Sequence, residues 1–327
     1  MTAVSGSASS SGHITLLFSI LDDSNDLLEQ GSRGIGICID TNEPTCTVTV
    51  EGIHQDVAVS SKEEQKILPL HETVMEELRN YCPEIDDYVW QINQHCTLPQ
   101  QQGFGLSAAG ALASTLAFQK ALGVKMSIAH PRSFHIAHIV ERKMSGGLGD
   151  VSALWSGGVD LRREPGCPTL SNKYGGPGQV ESWNHNFSLL VAWRNRKTRH
   201  TSSYIDDPEW KVRIRSCGEE AISPLLLGSW NSSRWKEIIA ASTSFATKSE
   251  LASDAGRADL LNIANVAIRE LKIDATPLLC MLGESVAIFP NNIELGISIQ
   301  DLELIREKLE KAELQSCIVS LSNETLR

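Results

Sequence analysis

Gly103-Phe-Gly105-Leu-Ser107-Ala-Ala109-Gly-Ala-Leu-Ala-Ser-Thr-Leu-Ala-Phe118 passes from a glycine-spaced loop into a run of small and apolar residues. The preceding Pro99-Gln-Gln-Gln102 is a breaker, and Gly123 closes the run, so a loop that opens directly into a helix is expected. Glycines at 103 and 105 let successive backbone N–H groups face one centre, which suits an anion. The helix behind adds its free N–H groups and the positive end of its dipole. Ala108, Ala109, Gly110 and Ala111 keep side chains out of that approach, and Ser107 offers a hydroxyl as a cap or a metal ligand beside a polyphosphate. The spacing GxGxxxxG is neither a Walker loop nor a dinucleotide fingerprint, and the loop holds no lysine. The plain alternative is a tight turn feeding a packing helix.

Two carboxylates downstream favour the anion reading. Glu141 lies near the end of the next helical segment, and Asp150 follows in Gly146-Gly-Leu-Gly-Asp150. One carboxylate can hold Mg²⁺ against phosphates, and another can orient or deprotonate an attacking hydroxyl. Solvated surface charge at Glu141 and a turn or cap role for Asp150 are the competing readings. His135, His138 and Glu141 step around a helix at three-residue intervals without a general-base signature, so zinc is not expected.

The chain has 327 residues, Lys+Arg 29 against Asp+Glu 40 for a net charge of −11, and 41% hydrophobic residues. That is enough apolar material for a large core in two lobes. The acidic balance argues against nucleic acid or an anionic membrane as the main partner. No signal-peptide pattern and no membrane span are read, and the eight scattered cysteines are expected as free thiols in a cytoplasmic protein. Strands are expected at 13–21, 34–40, 45–60 and 89–96, and helices at 68–78, 107–122 and 133–144. A Gly/Pro-rich stretch at 165–180 divides this half from a second one. That half should hold strands at 187–193, around Gly283 and at 317–321, and helices near 210–223, 234–247, 254–272 and 301–312. Strands and helices mix without βαβ regularity, so the class is α+β. The expected division is residues 1–170 and 171–327.

These residues resemble the galactokinase, homoserine kinase, mevalonate kinase and phosphomevalonate kinase (GHMP) superfamily. Gly103–Ala109 is similar to its second, phosphate-binding motif. The finer resemblance is to the archaeal pantoate kinase branch, carried by Gly12-His-Ile-Thr-Leu-Leu-Phe18, Gly31-Ser-Arg-Gly-Ile-Gly36, Gly103–Ala113 and Ala137-His…Glu141…Gly146-Gly-Leu-Gly-Asp-Val151. Met281-Leu-Gly283 resembles a reduced third motif. Leu106 replaces a small or polar residue, Glu284 stands near an anionic site, and His13 takes a position where sister kinases carry lysine.

The resemblance implies a two-lobed fold with a ribosomal-protein-S5-like N-terminal lobe that binds ATP and a ferredoxin-like C-terminal lobe. It implies that Gly103, Gly105, Leu106, Ser107, Ala108 and Ala109 cradle ATP phosphates. It places Mg²⁺ on Ser107 and Glu141, and makes Asp150 the base or orienting group. The implied reaction is ATP-dependent phosphorylation of the 4-hydroxyl of (R)-pantoate, a step of coenzyme A synthesis. Arg33, and second His13, are the candidates for holding the pantoate carboxylate. The basic run 194–200 approaches ligand or is simply solvated. Homoserine or a mevalonate-like alcohol as acceptor, and a non-catalytic nucleotide sensor, stay open, as does a homodimer.

Overall fold

The computed structural model describes residues 3–57, 67–195 and 202–327. The strands are β1 (Ala3–Ser10), β2 (Gly12–Phe18), β3 (Gly34–Asp40), β4 (Cys46–His54), β5 (Tyr88–Cys96), β6 (Val159–Glu164), β7 (Gln179–Trp183), β8 (Ser188–Trp193), β9 (Ala275–Leu279), β10 (Ser285–Pro290) and β11 (Gln315–Leu321). The helices are α1 (Pro69–Leu78), α2 (Leu106–Ala121), α3 (Met126–Lys143), α4 (Asp150–Ser156), α5 (Ser202–Ile205), α6 (Pro208–Ile222), α7 (Trp235–Lys248), α8 (Ala255–Leu271) and α9 (Ile299–Lys311).

Two antiparallel sheets organise the molecule, and the α+β expectation holds. The smaller runs β1-β4-β5 and is covered by α2, itself packed against α1 and α3. Val48 and Val50 alternate inward on β4, with Ile92 opposite Val50 and Trp90 opposite Gly52, the period-two pattern of a half-buried sheet. α2 is buried along almost its whole length, which its Ala/Gly composition permits at close range. The larger sheet runs β7-β6-β3-β11-β8-β10-β9, with β2 also paired to β3. α6 and α7 pack on β2, while α8 and α9 cover the strands of the C-terminal half.

The expected division at 170/171 falls between β6 and β7, which pair with each other. We keep it as a proposed boundary between two halves that share one sheet. Three expectations need correction. The second helix begins at Met126 rather than near Ser133, with Pro131 inside it. β1, β6 and β7 were not foreseen. Within 45–60 the strand ends at His54, and Val59 lies outside the described residues. No described helix is long and apolar enough to cross a membrane.

Candidate active site

The loop before α2 is built as its glycines require. Gly103 and Gly105 have φ of +81° and +65°, the left-handed region that a side chain disfavours. Gly105 is the N-cap of α2 and supplies no side-chain cap. The Ala109 N–H bonds to the Gly105 carbonyl, so the N–H groups of Leu106, Ser107 and Ala108 precede the first helical bond. Gly105 also touches β2: a Cβ there would lie 3.0 Å from the His13 backbone, and the His13 N–H donates to the Phe104 carbonyl at 3.0 Å.

This helix start opens on a cleft of about 460 Å³. Gly103–Ser107 lines it with Glu141, Gly146–Asp150, Thr15, Ser32 and the 280–282 turn. No lysine or arginine is among its described lining residues. Positive potential at its floor therefore comes from backbone N–H groups and the helix end.

The Ser107 hydroxyl donates to Glu141 Oε1 at 2.5 Å, and the Gly147 N–H donates to Oε2 at 2.7 Å. Burial pushes the Glu141 carboxyl up to about 7; the charge of Asp150 adds to this, while the Ser107 and Gly147 hydrogen bonds oppose it. Both carboxylates crowd Gly147: a Cβ there would lie 2.2 Å from Asp150 Oδ2 and 3.2 Å from Glu141 Oε2. The tail of the glycine loop is thus where the two acids meet.

Asp150 is the first residue of α4 and keeps 19% of its side chain exposed. Its Oδ1 accepts from His13 Nδ1 at 2.6 Å and from the Thr15 hydroxyl at 3.3 Å. His13 Nε2 lies 2.8 Å from Asp160 Oδ2, and Arg162 Nη1 donates to Asp160 Oδ1 at 2.7 Å. A buried row Arg162–Asp160–His13–Asp150 therefore runs from β6 through β2 to the cleft. Burial alone would lower the His13 pKa, but Asp160 and Asp150 together raise it above its ordinary value. An imidazole between two carboxylates donates to both only when protonated. Burial would raise Asp150, yet the hydrogen bond and charge of His13, then Arg162 and Thr15, take its carboxyl below the usual range. Gly36 on β3 admits the ring, because a Cβ there would stand 2.1 Å from His13 Nε2.

The structure brings Gly103, Gly105, Leu106, Ser107, Glu141 and Asp150 to one cleft, with Ala108 and Ala109 buried directly behind. It does not bring Arg33 there. The Arg33 guanidinium holds Glu164 and Glu219 at 2.8 Å each and the Arg163 carbonyl at 2.8 Å. His13 is fully buried beneath Asp150 rather than open to the cleft. His135 accepts from the Gly175 N–H, and His138 lies 3.1 Å from the Leu27 and Gln30 carbonyls. In the basic run, Arg194 pairs with Asp259. The positions 196–200 lie outside the described residues. Asp160, Arg162 and Thr15 were missed, although charges two apart in Val159-Asp-Leu-Arg162 share one strand face and so pair naturally.

Residues 70–158 match the family model for the GHMP kinases N terminal domain. The chain is similar to GHMP kinases, as its motifs implied. A pantoate kinase of Thermococcus kodakarensis is 40% identical over 82 residues, 25% of each chain. A pantoate kinase of Methanocaldococcus jannaschii is 28% identical over 66% of this chain and 71% of the relative. The first of these matches thus spans only a quarter of the relative's length. A solved structure named "Phosphotransferase related to CoA biosynthesis pathway" is 22% identical, with a TM-score of 0.72 over 99% of this chain and 98% of the other. The two-lobed GHMP-kinase fold is shared across these full lengths.

Among the described residues no group of three or more His, Cys, Asp or Glu side chains is arranged to hold a metal ion. The hydroxyl of Ser107 and the carboxylate of Glu141 do fit Mg²⁺, which takes one or two hard oxygen ligands from protein and the rest from phosphate and water.

The raised Glu141 carboxyl predicts a pH signature of stability. Folded protein binds this proton more tightly than an unfolded chain, whose Glu titrates near 4.5. The native state therefore carries the extra proton between about 4.5 and 7, and stability falls as pH rises across that window. Glu141→Gln should remove that slope. Urea unfolding at about pH 5 and about pH 8 checks it: the variant gains on the wild type at the higher pH. An unchanged difference between the two pH values refutes it.

Proposed function

We propose that the protein transfers the γ-phosphoryl group of ATP to the 4-hydroxyl of (R)-pantoate, giving 4-phosphopantoate. One observation carries this reading: Asp150 and the Ser107–Glu141 pair converge on Gly147 at the open end of α2. The pantoate kinases matched by sequence support the choice of acceptor.

In this reading the loop N–H groups and the α2 dipole hold the phosphates, since no described cation lines the cleft. Ser107 and Glu141 hold Mg²⁺, which when bound neutralises charge on the phosphate oxygens. Asp150 Oδ1 is committed to His13 and Thr15, which leaves Oδ2 to accept the hydrogen bond of the acceptor hydroxyl. The protonated His13 keeps that carboxylate ionised and fixes its rotamer. Phosphoryl transfer asks little more of a protein than this positioning and charge balance. Arg33 ties the start of β3 to α6 and does not hold substrate.

An ADP-release assay with pantoate, homoserine and mevalonate tests the assignment. Turnover with pantoate well above the other two is expected. Turnover only with another alcohol rejects the acceptor, and nucleotide binding without turnover on any alcohol leaves a sensor. Ser107→Ala should raise the Mg²⁺ concentration needed for half-maximal rate roughly tenfold, in line with a lost second-sphere or direct oxygen ligand.

A further inference from the structure

All eight cysteines are free, but two of them face each other. Cys46 on β4 and Cys96 on β5 are direct cross-strand partners. The neighbouring Thr97 N–H donates to the Thr45 carbonyl at 3.0 Å, so that pair is hydrogen-bonded and the Cys46–Cys96 pair is not. Non-hydrogen-bonded antiparallel partners have Cα atoms about 4.5 Å apart, inside the roughly 4.4–6.8 Å range that disulfides span. Cys46 is buried, whereas Cys96 sits half-buried on an edge strand and can meet a reagent. Gln94 Nε2 donates to Cys96 Sγ at 3.4 Å, and Gln94 lines the cleft. Its Oε1 is buried without a partner, so this sulfur contact is what fixes the amide.

We propose that Cys46 and Cys96 are a redox-active dithiol, closed to a disulfide by a low-molecular-weight disulfide such as glutathione disulfide, and that closure is felt in the cleft through Gln94. Cys96 is the attacking sulfur. The hydrogen bonds from Cys46, Gln94 and Gln100 hold its thiol down to about 6, while the other seven cysteines are all shifted upward. The Cys96 thiolate attacks one sulfur of the oxidant and expels a thiolate, leaving a mixed disulfide. Cys46 then gives up its proton and attacks Cys96 Sγ, expelling the second thiolate. The protein loses two electrons and two protons, and the oxidant leaves as two thiols. Once bonded to Cys46, Cys96 Sγ is a weaker acceptor and turns from Gln94.

The test is peptide mapping of the full-length protein after exposure to glutathione disulfide and blocking of free thiols. Expected is a linked Cys46–Cys96 peptide pair in the wild type, and glutathione retained on Cys96 in Cys46→Ala. No link, or glutathione on Cys217 or Cys317 in place of Cys96, overturns the dithiol. The coupling to the cleft rests on the nucleotide reading of that cleft. Its readout is the Kd of a non-hydrolysable ATP analogue, expected to rise roughly threefold on closure and to recover with dithiothreitol. An unchanged Kd in the linked protein overturns the coupling. An analogue that fails to bind even the reduced protein rejects the nucleotide reading and leaves the mapping result standing.

Discussion

Asp150→Asn is expected to lower kcat by about 10²–10⁴ while leaving the Kd for ATP within about twofold. The asparagine keeps the shape and one oxygen of the carboxylate, so α4 and the glycine loop stay in place. The negative charge that faces the acceptor hydroxyl is lost. His13 loses one of its two anionic partners as well, so its proton is held less tightly. In the proposed reading nucleotide lies on the other wall of the cleft, against α2, and does not need Asp150. Single-turnover rates with pantoate, beside nucleotide titration, separate the two effects. A near-normal rate removes Asp150 from the chemistry.

The second large effect is on stability. Asp160 is fully buried and accepts from His13 Nε2 and Arg162 Nη1. Asp160→Ala leaves a buried guanidinium and a buried imidazole without their shared anion. Breaking a buried ion pair at one partner costs about 3–5 kcal/mol, most of it the desolvated charge left behind. Urea unfolding should show a loss of that size, with kcat reduced in parallel because His13 no longer fixes Asp150. Asp160→Asn, which still accepts hydrogen bonds, should lose less. A drop below about 1 kcal/mol for the alanine variant would mean that the row is not a stabilising unit.

What was legible in the chain was local. Glycines at 103 and 105 ahead of a small-residue run fix a left-handed loop and a helix start within a few residues, and the structure has both. The amphipathic helices of the C-terminal half are legible for the same reason: each carries its own period of apolar positions. β1 was hidden because Ala3-Val-Ser-Gly-Ser-Ala-Ser-Ser10 has the composition of a loop. Its small residues serve contact with α2, where a Cβ on Gly6 would lie 2.1 Å from the Ala117 carbonyl oxygen. The second helix was expected near Ser133, yet it begins at Met126 with Pro131 in its second turn. Arg33 looked like a free cation because its two carboxylates lie 131 and 186 residues away. The row behind Asp150 was out of reach for the same reason, since it joins residues separated by 137 and 147 positions.

The larger sheet places β11 between β3 and β8. β3 pairs with β2, the strand that carries His13, and with β6, which carries Asp160 and Arg162. Among the described strands β11 comes last in the chain, so until it arrives the end of β3 at Ile39 and Asp40, beyond its pairing with β6, and the edge of β8 from Ser188 to Trp193 lack a partner. The last of these strands therefore closes the larger sheet, joining β3 and its neighbours β2 and β6 to β8 and β10. Contacts this distant in sequence also make for slow, chaperone-sensitive maturation, with an unpaired strand as the exposed species.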